Sequence, residues 1–200
     1  MRNDYLLIFL ILLAGITFHE WKVHQEKFYP GAVAPMDPVQ EKLDGISPFT
    51  HDEYTVNPQA VFKVRALVLS ANHFNWGKTA ELSPVDLALG WGPMSDGDIL
   101  KDIDVSQGSR WYYFSYQKAP PIPQNEIIKH SSNMHMIPAT DEIEKKIKSV
   151  HKGDVVEFKG YLVNLTMESG WHWNSSLSRT DTGDGSCEVV WVNEFEIAGR

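Results

Sequence analysis

Apolar residues in this chain come first as one unbroken block and then at short, changing intervals. Residues 5–18 read YLLIFLILLAGITF, with no charge and no polar face, as in a helix that water never touches. A helix of that length spans roughly 21 Å, short of the roughly 30 Å hydrocarbon core. Extending it through Trp21 and Val23, with Lys22 snorkelling, gives a marginal span. Residues 1–27 are therefore expected to be a signal anchor that meets the membrane through residues 5–23. A cleaved signal peptide, and so a secreted protein, is the alternative. Arg2 lies ahead of the run, which keeps that end in the cytoplasm and sends the rest of the chain outside it.

Residues 28–59 hold Pro30, Pro35, Pro38, Pro48 and Pro58 with no clear periodicity, and read as an extended tether. From residue 60 to 200 the intervals are those of one β-rich domain. Alternation predicts strands over 61–74, 110–116, 154–167 and 187–197, and a Ser169-Gly170 turn leads into a further strand over 171–177. Four short helices are expected between them. One starts at Ser83, where Pro84 and Asp86 resemble a capping box, and one at Ser95. A third follows Pro123, with Ile127, His130, Ser131 and Met134 on one face. The fourth is capped by Thr140, with Ile143, Ile147 and Val150 as its buried stripe and Gly153 as its stop. The expected class is α+β: a curved antiparallel sheet or a small barrel of the oligonucleotide-binding (OB) or SH3-like kind. Short helices are inserted between its strands, and the N-terminal apolar helix stands outside it.

Composition narrows the chemistry. The net charge is −8 with no basic cluster, so nucleic acid is not an expected partner. Cys187 is the sole cysteine, which excludes an intramolecular disulfide and any multi-cysteine metal site. At the start of an apolar strand it reads as a buried, inert thiol.

Three polar stretches stand out: residues 72–77, 130–135 and 178–186. His130 and His135, with His73, His172 or Asp181, have the donor types for a divalent metal, though their spacing fits no established ligand motif. Asp181-Thr182-Gly183 has the letters of an aspartic-protease triplet but lies between polar residues, as a hairpin loop does. Arg179 has the planar fork that clamps a carboxylate or phosphate. Asn133 and Asp181 are further polar candidates for a binding site. Trp171 and Trp173 share one side of their strand and form an aromatic platform if exposed.

The segments SPVDLALGWGPMSD from Ser83, HSSNMH from His130 and SLSRTDTG from Ser176 resemble a family of small bacterial proteins. These carry an N-terminal hydrophobic segment and no assigned activity. The likeness covers roughly residues 60–197 and brings no catalytic residues with it. It implies a bacterial envelope location and a single domain. Together with the anchor and its orientation, the expected place is the inner membrane, single-pass, with the C-terminal domain in the periplasm. Two functions fit: a non-enzymatic binding or assembly module for an envelope protein or small ligand, and a metal-assisted hydrolase using the His/Asp groups.

Overall fold

The computed structural model describes residues 30–43, 45–181, 183 and 185–198. The expected N-terminal helix and anchor lie outside them. No helix among the described residues is long and apolar enough to cross a membrane.

Among the described residues ten strands dominate, with short helices between them. In chain order they are β1 (Val39–Lys42), β2 (Phe49–His51), β3 (Tyr54–His73), α1 (Lys78–Leu82) and β4 (Val85–Gly90). A 3-10 turn (Gly92–Ser95) and α2 (Gly97–Leu100) come next, then the hairpin β5 (Asp104–Gly108) and β6 (Trp111–Ser115). The chain finishes with α3 (Gln124–Lys129), β7 (Ser131–Pro138), α4 (Asp141–Lys148), β8 (Val155–Thr166), β9 (His172–Asn174) and β10 (Glu188–Ile197).

The twenty-residue β3 is the seam of a curved mixed sheet. Thr55 to Leu67 pair antiparallel with β8, and Leu67 to His73 pair antiparallel with β4. From β4 the ladder passes to β7 (antiparallel), to β10 (parallel) and back to β8 (antiparallel), so the pairings return to β3. Phe62, Val64, Leu87, Met134, Phe158 and Val190, drawn from all five strands, are fully buried in one core cluster. Helix α4 adds Ile143 and Ile147 to that cluster. Thr140 Oγ1 caps it by accepting the Ile143 N–H, and acidic first and basic last residues suit the helix dipole.

Four expectations are corrected. The sheet is mixed rather than antiparallel, because α4 and β8 intervene between β7 and β10 and leave those two parallel. The stretch after Ser83 is strand β4 and not a helix. Val85, Leu87 and Leu89 enter the core at period two, and Asp86 and Ala88 are buried on the other face, so helical spacing never applies. Ser131 and Met134 do not share a helix face with Ile127; α3 stops at Lys129 and both residues stand in β7. The stretch expected as a tether supplies β1, β2 and the start of β3. Tyr54 and Val56 are buried there while Thr55 and Asn57 are exposed, a strand alternation the prolines mask, and the ladder shifts register between Pro58 and Ala60.

Candidate functional site

Strand β7 is buried along its length although half of it is polar, and the β5–β6 hairpin is the reason. Asn133 uses both ends of its amide on that hairpin: Nδ2 donates to Arg110 O (3.1 Å) and Oδ1 accepts from Gln107 Nε2 (2.6 Å). Arg110, at the hairpin turn with φ of 65°, reaches back into the sheet. It donates to Asp86 Oδ1 (2.8 Å) and to the carbonyls of Thr79 and Ser83 (3.0 and 3.1 Å). Its guanidinium lies 4.0 Å from the Phe74 ring centre and 5.3 Å from that of Trp173. Burial pulls Arg110 below its usual pKa, and Asp86 pulls it back up. Asp86 Oδ2 and Ser83 Oγ are buried without a hydrogen-bond partner among the described residues.

Beside this covered face lies a cleft of about 500 Å³. One wall is β6, from which Trp111, Tyr113 and Phe114 border the opening. The other is the loop from β9 to β10, which brings Arg179 and Asp181. Ser132 and Glu188 form the floor, near the start of the parallel pair β7 and β10. Glu188 has the same strand parity as Val190 and Val192, which are in the core, so it points toward the core at the end away from α4.

The floor is a linked set of polar groups. Ser132 Oγ donates to one carboxylate oxygen of Glu188, and Arg179 Nη1 donates to the other. Arg179 Nη2 donates to Gln40 Oε1 of β1 (2.9 Å), and its guanidinium lies 5.4 Å from the Phe62 ring centre. Glu188 is 1% exposed, and burial lifts its carboxyl to about 7 despite the opposing pull of Arg179 and the Ser132 hydrogen bond. Asp181 is exposed and accepts from Ser176 Oγ at 2.6 Å. The Cys187 thiol also borders the cleft, near Asn133 Nδ2 and Arg110 O, and burial raises it to about 11.

The candidates from the sequence do not converge on one place. Arg179 and Asp181 meet at the cleft. Asn133 serves the hairpin. Trp171 and Trp173 touch edge to face at 6.3 Å and are half-buried against Tyr54 and His135, so they are neither core nor an open platform. His135, His130 and His73 disperse. His135 Nδ1 lies 3.0 Å from Asp86 Oδ1, and His130 Nδ1 lies 2.8 Å from Glu126 O with its Nε2 near Asp37. His73 is exposed at the end of β3. Among the described residues, no three His, Cys, Asp or Glu side chains group as a metal site requires. Sequence reasoning passed over Glu188, Ser132 and the β6 aromatics. The available sign was a carboxylate at the head of the apolar run VVWV over residues 189–192, at the parity of Val190 and Val192.

No family model, curated protein or solved structure matches the chain.

Proposed function

We propose that this chain is a membrane-tethered, non-enzymatic binding module built on a barrel of the OB kind. The ring of pairings supports the barrel. Counting β3, β4, β7, β8 and β10 as first to fifth, the order runs first, second, third, fifth, fourth and back to the first. Helix α4 falls between the third and fourth. OB barrels bind oligomers beside the loop between their fourth and fifth strands. Here that connection carries β9, Arg179 and Asp181.

The observation that carries the reading is the cleft, where an aromatic wall faces the Ser132–Glu188–Arg179 floor. A concave site of this size with a few convergent polar groups is the form of a ligand site. Both carboxylate oxygens of Glu188 are engaged, which suits a rigid floor better than a proton shuttle. The apolar run over residues 5–18, with Arg2 ahead of it, supports an inner-membrane tether and a periplasmic domain.

The test is a chemically mixed small-molecule library screened by thermal shift on the full chain in detergent. Compounds that stabilise the native protein should lose their effect on Trp111→Ala and on Ser132→Ala. Hits indifferent to both changes, or no hits at all, would count against the cleft. A tag at residue 200 that is reached by protease only from the cytoplasm would count against the orientation.

A further inference from the structure

We infer that the cleft is a saccharide site, taking uncharged sugar rings with an apolar face on the β6 aromatics and their hydroxyls on the facing loop. The inference rests on the binding-module reading and names its ligand class.

The shape of the wall supports it. Trp111 and Tyr113 stand two apart on one strand and so share a face, which sets their rings side by side along a line and not around a point. Residues two apart on a strand stand roughly 7 Å apart. Tyr112 and Phe114 are packed against the core cluster of Leu67, Leu69 and Met94, whereas Tyr113 is 57% exposed. A line of aromatic surface suits the stacking of flat, weakly apolar rings. A quaternary ammonium is recognised instead by aromatics converging from several sides.

Charge removes the next competitor. Phosphate ligands need uncompensated positive charge or free backbone N–H groups. Arg179, the one cation bordering the cleft among the described residues, already donates to Glu188 and Gln40, and Asp181 adds a negative charge. The cleft is also lined by hydroxyl, amide and carboxylate groups of Ser132, Ser178, Asp181, Ser186 and Gln124. The first four already hold hydrogen bonds within the protein and keep further lone pairs, as a hydroxyl or carboxylate oxygen does. Such groups bind vicinal hydroxyls, each donating and accepting.

The experiment is calorimetric titration of the full chain in detergent with neutral tetrasaccharides of glucose and of N-acetylglucosamine. Tryptophan fluorescence is followed in parallel. Binding by at least one of them is expected. Trp111→Ala, Tyr113→Ala and Asp181→Asn should each weaken it about tenfold or more, with circular dichroism unchanged. Trp76 is 94% exposed and does not border the cleft, so Trp76→Ala should bind as the native protein does. If no saccharide binds while compounds of another class stabilise the native chain and not Trp111→Ala, the ligand class is wrong and the cleft stands. If saccharides bind but Trp111→Ala and Tyr113→Ala are indifferent, the site is elsewhere and the inference falls. If neither saccharides nor the mixed library engage the cleft, both readings fall.

Discussion

Asp86 and His135 stand directly opposite each other in the β4–β7 ladder, and Asp86 Oδ1 accepts from Arg110 Nη1 at 2.8 Å while lying 3.0 Å from His135 Nδ1, which makes no hydrogen bond among the described residues. Asp86 is fully buried. That oxygen therefore ties strand β4 to the hairpin that forms the aromatic wall of the cleft.

Removing one partner of that ion pair strands the other. Arg110→Met leaves the Asp86 carboxylate buried without its main cation and should destabilise the protein by about 3 kcal/mol or more. Asp86→Asn should cost less, and the double variant less than the sum of the two. Urea unfolding of the four proteins measures the coupling; additive effects would show that the pair contributes nothing as a pair.

Glu188 predicts a pH dependence. Its carboxyl sits at about 7 in the folded protein against an ordinary 4.5, so the folded state holds a proton that the unfolded chain has released. That contribution to stability is complete below about pH 4.5 and is lost as pH rises through about 7. Glu188→Gln cannot ionise. Its stability relative to the native chain should therefore rise by about 3 kcal/mol between pH 4 and pH 8. Parallel stability curves across that range would refute the assignment.

Cys187 should be slow to react. With its thiol at about 11, the native protein carries roughly a hundredfold less thiolate than a free cysteine at neutral pH. Iodoacetamide should label the urea-unfolded chain quickly and the native chain slowly, as intact mass will show.

Gly160 lies where β8 passes between β3 and β10. A Cβ there would sit 1.9 Å from Trp191 O, so Gly160→Ala forces backbone apart and should destabilise by about 2 kcal/mol or more. Gly108, on the hairpin strand β5, has nothing within 4 Å of the same position, and Gly108→Ala should be near neutral. Equal effects of the two changes would mean that the close approach at Gly160 is not what matters.

What the sequence made legible follows from which faces meet water. Strands β8 and β10 and helix α4 were readable because each has at least one wetted position or a cap that marks its period, as Lys159, Glu194 and Thr140 do. Strand β4 was not, because all six of its residues are buried and Ser83-Pro84 imitates a helix start. Strand β7 reads as a helix end and a polar loop, because Asn133 finds its partners in the chain's own hairpin rather than in solvent and His135 packs against Trp173. At the cleft, Arg179 and Asp181 stood out as polar loop residues. Glu188 did not, since its role depends on Ser132, which lies 56 residues away in sequence.

The place of β10 in the sheet bears on how the molecule is made. This last strand sits between β7 and β8, so during synthesis both of those remain raw edges until residues 188–197 are available. The strands made before it must wait, with two sticky margins exposed, for β10. A stop codon even a few residues before Glu188 should then yield aggregate rather than a slightly weakened protein, whereas a short peptide of those ten residues, supplied separately, is the natural candidate to complete it.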